Sequence, residues 1–245
     1  MKITFLYHSA FLVETAQFYL LFDFYKAPLP ALSADKPLFA FASHSHADHF
    51  SEALFSETAA HEKTQFILAR SVRPTPKRLD AWGVPDAQRG HIVTMRAGET
   101  LTLDADGTEL TVETLKSTDE GVAFLLSWQG KTLYHAGDLN WWHWKGEEKA
   151  WNNNMEASFK RNIEPLRGRR IDMAFLPLDP RQEEFFALGM DYVLSIADVR
   201  RAFPMHLWER FDCIARYKSD AQRQNLKTNI VDIYHDGQSW VFDES

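Results

Sequence analysis

Four potential metal-binding side chains fall within six positions of the stretch FASHSHADHF (41–50), at His44, His46, Asp48 and His49. Imidazole and carboxylate groups are the ligands that zinc and similar divalent cations prefer. Side chains alternate along an extended chain, so His44 and His46 can point to one centre. As the chain then turns, Asp48 and His49 can aim at a second centre nearby. The spacing therefore predicts a loop that serves two cations, with a histidine-rich surface turn as the alternative.

A two-metal site needs further ligands, and two later segments provide candidates. Asp138 follows an apolar run and a glycine in YHAGDLN (134–140), where its carboxylate could bridge two cations. His206 stands near the end of the predicted strand FPMHLW (203–208). Taken singly, Asp138 is typical of a turn and His206 of a hydrogen-bonded strand histidine. Their order behind the first cluster favours the metal interpretation.

The elements that must position these residues are predicted from apolar runs and the breaks between them. LFAFAS (38–43) is a continuous apolar run typical of a strand buried on both faces, so the histidine cluster follows the carboxyl end of a strand. Further strands are predicted at 2–7, 10–14, 18–25, 64–69, 171–179 and 203–208, with several between residues 91 and 134 and a hairpin at 229–242. Helices are predicted at 51–59 (with Ser51 as N-cap), 154–167, 191–202 and 211–222.

The order of these elements predicts an α/β fold, α+β by some schemes, in the form of a four-layer αββα sandwich. A strand-rich part is followed by alternating strands and helices, and no repeat or linker interrupts the sequence. The chain has 245 residues, enough for one large domain with a sizeable core. We therefore expect a single domain over residues 1–245.

Composition limits the kinds of binding partner and the cellular compartment that we expect. The formal net charge of −7 disfavours nonspecific binding to nucleic acid or to anionic membrane, although a local basic pocket could still bind a small anion. Cys213 is the single cysteine, which excludes internal disulfides and suits a reducing cytosol. The sequence lacks a signal-peptide pattern and any apolar run of about 18 residues. We expect a cytoplasmic protein with no membrane span and a small-molecule substrate, either monomeric or homo-oligomeric.

The motifs together resemble those of the metallo-β-lactamase-fold hydrolase superfamily. The resemblance rests on Asp23 after the early strands, H-x-H-x-D-H at 44–49, Gly-Asp at 137–138 and the late His206. The opening YHSAFLVET (7–15) with LLFD (20–23) is most similar to the branch that contains the L-ascorbate-6-phosphate lactonase-like hydrolases. This resemblance implies an αββα sandwich with metal at one edge of the sheets. It also implies that a metal-activated water hydrolyses an ester, lactone, amide or phosphodiester.

The resemblance also implies roles for the individual residues. His44 and His46 would hold the first metal, His49 and His206 would hold the second with Asp48, and Asp138 would bridge the two. Asp23 would hydrogen-bond a ligand histidine or hold the loop. His8 matches a position near the edge of the active site. The expected cofactor is Zn²⁺, as one or two ions, with Mn²⁺ or Fe²⁺ as alternatives.

One ligand of the resembled pattern is missing. A further histidine for the first metal is expected near Lys116 or Ser117, but TLKSTDEGVAFLLSWQG (114–130) contains none. Three alternatives are open. Asp119 or Glu120 could supply an oxygen ligand, which would favour harder cations such as Mn²⁺. The Lys116 ammonium could instead take the place of the first cation, or Lys116 and Ser117 could face a substrate anion.

The predicted chemistry is hydrolysis, which survives with a single cation. Asp48, Asp138 and Lys116 are the candidate catalytic residues, and Asp48 is placed to orient the water and accept its proton. A plain metal-ligand role is the alternative for Asp48.

The segment LNWWHWKGEE (139–148) supplies Trp141, Trp142, His143 and Trp144 as a candidate pocket wall, and Trp141 and His143 are taken as its site residues. Arg181 could clamp an anion with Lys116. Core packing and a surface ion pair are the respective alternatives. We predict a metal-dependent hydrolase of a small, anionic ester or lactone. A phosphodiesterase or nuclease, and a member that binds metal or ligand without turnover, remain the alternatives.

Overall fold

Two mixed β-sheets form the framework of the protein in the computed structural model, which describes residues 1–26, 28–220, 223 and 226–243. Within these ranges the strands are β1 (Lys2–Tyr7), β2 (Ala10–Glu14), β3 (Tyr19–Phe22), β4 (Leu38–Ala42), β5 (Thr64–Ala69), β6 (Ile92–Met95), β7 (Thr100–Ala105), β8 (Thr108–Lys116), β9 (Val122–Trp128), β10 (Lys131–His135), β11 (Arg170–Pro177), β12 (Asp198–Met205), β13 (Asn229–Ile230) and β14 (Ser239–Val241). The first sheet has the order β14-β1-β2-β3-β4-β5-β6, and the second has the order β13-β12-β11-β10-β9-β8-β7.

Helices cover the outer faces of both sheets, which completes the four layers of the predicted αββα sandwich. In chain order they are α1 (Ala53–Glu57), α2 (Pro76–Ala81), α3 (Asp86–Arg89), α4 (Lys149–Ile163), α5 (Leu188–Ile196) and α6 (Asp212–Ser219). Leu54 of α1 and Leu79 of α2 pack into the apolar cluster on the outer face of the first sheet. Phe159 of α4, Met190 of α5 and Ile214 of α6 join the core that includes the second sheet.

Strand β4 shows why this part of the chain could be predicted. All of its side chains are buried, because it lies inside the first sheet and both faces are covered. Phe39 and Phe41 point toward the second sheet, whereas Leu38 and Ala40 point toward the outer helices. This alternation is the period-two pattern of a strand. The continuous apolar run therefore reflects burial on two sides, as predicted.

The directions of the strands bring the functional residues together. Strands β3 and β4 are parallel, and β1 runs in the same direction because each antiparallel step through β2 reverses the chain. By the same reasoning β8, β10, β11 and β12 run in one direction in the second sheet. Polar residues follow the carboxyl ends of these strands, namely His8, Asp23, the 43–49 loop, the 117–121 turn, Asp138, Asp179 and His206. They meet at one edge of the sandwich.

The predicted helix at 191–202 was wrong in its second half. Helix α5 ends at Ile196, and Asp198–Met205 forms β12, which pairs in parallel with β11 and is second from the edge of the second sheet. Ala197 is extended at this boundary, with ψ 150°. The predicted hairpin at 229–242 was also wrong, because β13 pairs with β12 in the second sheet and β14 pairs with β1 in the first.

Smaller differences concern helix ends. The helix predicted at 154–167 begins at Lys149 and ends at Ile163, and a 3-10 turn follows at Glu164–Leu166. Glu52, not Ser51, is the N-cap of α1, although the Ser51 hydroxyl accepts a hydrogen bond from the Ala53 amide. The helix predicted at 211–222 is α6, which ends at Ser219, and residues 221 and 222 lie outside the described part of the chain. Through the ranges that the structure describes, every helix is too short or too polar to cross a membrane.

Candidate metal centre

The 43–49 loop leaves β4 at its carboxyl end and turns back at once. The backbone amides of His49 and Phe50 both donate to the carbonyl of His46, at 3.0 and 2.9 Å, which closes the turn. His44 and His49 are fully buried, whereas the His46 side chain is 47% exposed. The two ends of the loop therefore face the protein interior, and its middle faces solvent.

Three ligand atoms from the loop and the second sheet converge in the protein interior. His206 Nε2 lies 2.8 Å from Asp138 Oδ1, His49 Nε2 lies 3.1 Å from the same oxygen, and the two histidine nitrogens are 3.1 Å apart. Asp138 Oδ1 nevertheless lacks a partner with hydrogen-bond geometry among the described residues. A cation with bonds of about 2.1 Å separates its ligand atoms by about 3.0 to 3.4 Å in octahedral or tetrahedral geometry. The short separations and the unpaired oxygen fit a shared cation. We call His49, His206 and Asp138 the buried ligand set.

A second group of ligand atoms lies toward solvent. His44 Nε2 is 3.0 Å from His46 Nδ1 and 3.4 Å from Asp138 Oδ2, and His46 Nδ1 is 3.6 Å from Asp119 Oδ2. The ligand atoms of these four residues all lie within 4.8 Å of one another. Asp138 thus directs one oxygen to each set. We call His44, His46, Asp119 and Asp138 the open ligand set, because the Asp119 side chain is also 48% exposed.

In the 43–49 loop, the far nitrogen of each buried histidine has a partner that fixes the ring. Asp23 Oδ2 lies 2.7 Å from His49 Nδ1, and the Ser43 hydroxyl lies 2.9 Å from His44 Nδ1. Ser43 donates both its amide and its hydroxyl to Asp23, at 2.7 Å each. Outward-facing partners of this kind orient metal-binding histidines and make them better ligands. One fully buried carboxylate therefore organises both ends of the loop.

Carboxylates also lie near the far nitrogens of the other two histidines, although beyond hydrogen-bond distance. Asp179 Oδ2 lies 3.6 Å from His206 Nδ1, and Glu120 Oε2 lies 3.6 Å from His46 Nε2. The Ser45 hydroxyl donates to Glu120 at 2.6 Å and holds that carboxylate in place. Each histidine of the two sets thus leaves its other nitrogen free to face the cluster.

Charges within the cluster compensate for their burial. Burial would raise the pKa of Asp138, but His49 and His206 outweigh it and hold that pKa well below its ordinary value. Burial would lower the pKa of His49, but Asp138 and Asp23 raise it well above its ordinary value. Burial, with the charge of His49, lowers the pKa of His44 to about 4, so this imidazole is a neutral nitrogen donor near pH 7. Asp138 also raises the pKa of His206, so the cluster favours positive charge of the kind that a divalent cation would bring.

His8 and Asp48 lie beside the buried ligand set. His8 Nε2 is 3.4 Å from Asp48 Oδ2, and its ring lies 4.2 Å from that of His206. Burial would raise the pKa of Asp48, but the imidazoles of His8 and His49 outweigh it and keep the carboxylate ionised. His8, His49 and His206 also present ligand atoms within 4.8 Å of one another.

Backbone strain is concentrated at this edge. Nine residues other than glycine have positive φ within the described ranges, and five of them are His8, Asp23, His206, Trp208 and Glu209. Such conformations cost roughly 1–3 kcal/mol each and persist where the surroundings hold them. Their grouping indicates that the edge is built to hold particular side chains in place.

A cavity of about 480 Å³ opens directly on the ligand sets. Its far wall consists of Trp142, Trp144, Trp151, Met155 and Arg181, and we call it the indole cavity. The Trp142 indole donates to the carbonyl of Asp138 at 3.0 Å and stacks on Trp144. The wall is thereby fixed to the backbone of the bridging carboxylate.

The structure places Trp141 and His143 elsewhere, so of the four predicted wall residues only Trp142 and Trp144 line the cavity, and the choice of Trp141 and His143 as site residues was wrong. Trp141 packs against Phe159 of α4 at 6.2 Å, which is the core alternative. The His143 ring packs against Phe185 at 4.0 Å. The segment has no regular period, so its sequence did not indicate which of the four side chains would face the cluster.

Lys116 is not among the residues brought to the centre. Its exposed side chain lies at the end of β8, in a groove that also includes Arg161. Neither the cation-replacement alternative nor the anion clamp with Arg181 fits this position. Ser117 is buried, and its hydroxyl accepts a hydrogen bond from the Asp119 amide at 3.1 Å, which shapes the turn that carries Asp119 to the open ligand set.

Arg181 lies where the sequence suggested, at the edge of the indole cavity. It also forms the ion pair that was the alternative, because its Nε lies 3.0 Å from both oxygens of Asp179. Asp179 had no assigned role in the predicted ligand set, although it follows the end of β11 as the other site residues follow their strands. The ion pair with Arg181 and the contact with His206 outweigh burial and lower the pKa of Asp179 to about 2.

The protein has two packed sheets with a cluster of histidines and aspartates at one edge. This arrangement is that of metal-dependent hydrolases with the metallo-β-lactamase fold. The family model described as "Beta-lactamase superfamily domain" matches residues 18–159, and the chain belongs to this superfamily. A relative from Opitutus terrae named "UPF0173 metal-dependent hydrolase" is 31% identical over 221 residues, which cover 84% of each chain. The protein is a metal-dependent hydrolase.

Solved structures share the fold at low sequence identity. A metallo hydrolase from Ignicoccus hospitalis, Igni18, has a TM-score of 0.61 with 19% identity over 99% of each chain. CmlA, a diiron β-hydroxylase from Streptomyces venezuelae, has a TM-score of 0.60 with 11% identity over 98% of this chain and 54% of its own. These likenesses concern the sandwich, whereas the residues at its edge define the chemistry of each protein.

Proposed function

We propose that the protein hydrolyses a small anionic ester or lactone in the indole cavity. The observation that carries this proposal is a cavity of about 480 Å³ whose wall includes Asp138, Asp48 and Arg181 together. Its volume is in the range of small-molecule sites, roughly 300–1,000 Å³. The indole rings offer apolar walls, and Arg181 offers the cationic group that an anionic substituent needs. The similarity of YHSAFLVET to the lactonase-like branch supports the same class of substrate.

We propose that the two ligand sets hold unequal metal sites. The buried set offers two imidazoles and one carboxylate oxygen, and its side chains are excluded from water. The open set has Asp119 where the resembled pattern has a histidine, and two of its ligands are about half exposed. Zn²⁺ suits the buried set, whereas the additional oxygen ligand of the open set favours a harder cation such as Mn²⁺ or Fe²⁺.

A bound divalent cation would polarise the scissile bond and acidify a water molecule. The chain itself supplies the other requirements. Asp48 is an ionised carboxylate in the wall of the cavity, so it can orient the attacking water and accept its proton. Arg181 holds the anionic substituent, and the Trp142 and Trp144 rings exclude water from one side of the substrate.

The test combines metal analysis with a substrate panel. We expect the purified protein to hydrolyse carboxylic esters or lactones with an acidic substituent, to lose this activity after chelation and to regain it with Zn²⁺ or Mn²⁺. The Asp48→Asn variant should retain its metal and lose at least 100-fold in kcat, as expected for a general base. Asp86→Asn, at a side chain that is 96% exposed, is the matched control.

Three results would contradict the proposal. Full activity after exhaustive chelation would exclude metal-dependent hydrolysis. Turnover of phosphodiesters alone would replace the substrate class with that of a phosphodiesterase or nuclease. Bound metal without turnover of any ester, lactone or phosphodiester would indicate a member that binds metal or ligand without catalysis.

We also propose that residues 1–245 act as one hydrolase domain in the cytoplasm. The core cluster supports the first part, because it joins side chains of both sheets, such as Phe41 of β4 and Phe124 of β9, whose rings lie 5.2 Å apart. Cys213 supports the cytoplasmic location, because it is a single, buried cysteine without a disulfide, and free thiols are typical of reducing compartments.

A further inference from the structure

A second cavity lies on the other side of Asp48. It has a volume of about 340 Å³ and is lined by Phe5, Tyr7, His8, Tyr25, Lys26, Asp48, Leu207, Trp208, Glu209, Phe211 and Asp236. We call it the tyrosine cavity. Asp48 is the one described residue that lines both cavities. The carboxylate therefore stands where two binding spaces meet, which is the position expected for a group that acts on a bond between them.

Aromatic rings dominate the wall of the tyrosine cavity. Tyr25 meets Tyr7 edge to face at 4.8 Å, and Trp208 meets the His8 ring at 4.7 Å. Trp208 is 41% exposed, so a large indole surface is available to a ligand. Rings prefer edge-to-face or offset contacts with other rings at about 4.5–7 Å between centroids. A planar aromatic group is the ligand that such a wall fits best.

The indole of Trp208 is fixed by the same groups that support the metal centre. Its Nε1 donates to Asp179 Oδ2 at 3.1 Å, and the Arg181 guanidinium lies 4.1 Å from its ring. The backbone is strained here, with φ 51° at Trp208 and 58° at Glu209. Strain of this kind persists where contacts with surrounding residues hold the backbone in place. The wall is therefore preformed and does not depend on the ligand to assemble it.

A buried polar atom also faces this region. His8 is only 9% exposed, and its Nε2 has no partner with hydrogen-bond geometry among the described residues, although Asp48 lies 3.4 Å away. An unpaired buried nitrogen of this kind is costly unless a ligand or water satisfies it. A polar group of a ligand in the tyrosine cavity, or a cation shared with His49 and His206, would satisfy this nitrogen.

The charged side chains of the tyrosine cavity indicate which charge its ligand can carry. The carboxylates of Asp48, Glu209 and Asp236 line the tyrosine cavity against a single described cation, Lys26. An anionic ring would meet net repulsion there, whereas a neutral or cationic ring would not. A cationic ring would gain further attraction from the aromatic faces.

We infer that the tyrosine cavity is a second substrate subsite, which takes a planar aromatic group without negative charge. This inference rests on the proposed function: the substrate would place its anionic part in the indole cavity, its aromatic part in the tyrosine cavity and its scissile bond beside Asp48. It predicts a preference for esters that carry an aromatic group on the side of the bond opposite the acidic substituent.

Direct binding tests the subsite without turnover. We would label the metal-loaded protein with 5-fluorotryptophan, assign the ¹⁹F signals of Trp208 and Trp144 with Trp208→Phe and Trp144→Phe, and titrate benzamidine, benzyl alcohol and benzoate. We expect benzamidine and benzyl alcohol to shift the Trp208 signal at concentrations that leave the Trp144 signal in place. Benzoate should require at least tenfold higher concentration to reach the Trp208 signal.

Two variants test the assignment of the wall. Tyr25→Leu should weaken benzamidine binding about fivefold, and Tyr25→Phe should retain it, because the ring and not the hydroxyl makes the contact. Tyr234→Leu is the matched control, at a tyrosine that is 68% exposed and lines neither cavity. For aromatic esters, Tyr25→Leu should raise KM about fivefold with little change in kcat, and it should leave the KM of methyl esters unchanged.

The outcomes separate the subsite from the proposed function. Probe-dependent shifts at Trp208 without hydrolysis of any ester would support the subsite and contradict the proposed function. Hydrolysis of acidic esters with no shift at Trp208, or with equal shifts at Trp208 and Trp144, would overturn the subsite and leave the proposed function intact. Equal binding of benzoate and benzamidine would overturn the assigned ligand class.

Discussion

At the scale of single residues, the metal centre depends on the partners of its ligands. Asp23 accepts three hydrogen bonds from Ser43 and His49 and is fully buried. Burial alone would raise its pKa, yet the charges of His49 and its neighbours lower it, so the carboxylate stays ionised. One substitution there changes the orientation and the basicity of a ligand without removing any ligand atom.

We therefore predict that Asp23→Asn lowers metal affinity about 10- to 100-fold, the usual effect of losing an oriented partner of a ligand histidine. Competition with a coloured chelator measures the affinity. Asp86→Asn, at an exposed position, should leave it unchanged. An Asp23→Asn protein that binds metal as tightly as the wild type would show that the carboxylate has no part in binding.

Asp119 is the residue on which the difference between the two ligand sets depends. Its carboxylate is half exposed and lies 3.6 Å from His46. We predict that Asp119→Ala loses the weaker metal equivalent and keeps the tighter one, because the buried ligand set does not include Asp119. Elemental analysis after dialysis and stepwise calorimetric titration count the two equivalents. Asp119→His should tighten the weaker site for Zn²⁺, and two unchanged equivalents in Asp119→Ala would contradict the assignment.

At the scale of elements, some parts of the site could be read from the sequence and others could not. The loop after β4 was predictable because five successive apolar residues mark a doubly buried strand, and metal ligands follow it directly. The boundary at Ile196 was missed because VRRA (199–202) is compatible with a helix, and its strand pairing depends on β11. The role of Asp119 remained one of three alternatives, because its position depends on how the 117–121 turn folds back against the 43–49 loop.

The close approach of that turn to the loop depends on Gly121. A Cβ at this position would lie 1.9 Å from the Ser43 carbonyl oxygen, and φ is +73°. We predict that Gly121→Ala lowers the free energy of unfolding by about 3 kcal/mol or more, from overpacking together with left-handed strain. Gly130→Ala is the matched control, since its φ is +74° and a Cβ there would meet no atom within 4 Å.

Urea denaturation of both glycine variants measures this difference. Gly130→Ala should lose only the cost of the left-handed conformation, about 1–2 kcal/mol. Equal losses in the two variants would show that the close approach of Gly121 to Ser43 does not affect the free energy of unfolding. Gly121→Ala should also weaken the open ligand set, because the displaced turn carries Asp119.

At the scale of the whole molecule, the ligand sets join the two sheets. His44 and His49 follow β4 of the first sheet, whereas Asp138 and His206 follow β10 and β12 of the second. A cation bound by both would tie together the open edge of the sandwich, where buried charges otherwise face one another. Asp138 raises the pKa of both His49 and His206, which favours positive charge beside this carboxylate when no cation is bound. We therefore expect the metal-free fold to be retained but weakened.

We predict that metal removal lowers the melting temperature without abolishing the fold. A ligand that binds only the folded state stabilises it by about 2.7 kcal/mol at a free concentration of 100 times Kd. Calorimetry with and without a chelator should show the loss. The chelator-dependent shift should be smaller in His206→Ala, because this variant loses a ligand that links the sheets but keeps the open ligand set. His235→Ala is the matched control, at an exposed histidine outside the ligand sets, and it should keep the full chelator-dependent shift. Equal shifts in wild type and His206→Ala would place the stabilising metal elsewhere and would separate the centre from the stability of the sandwich.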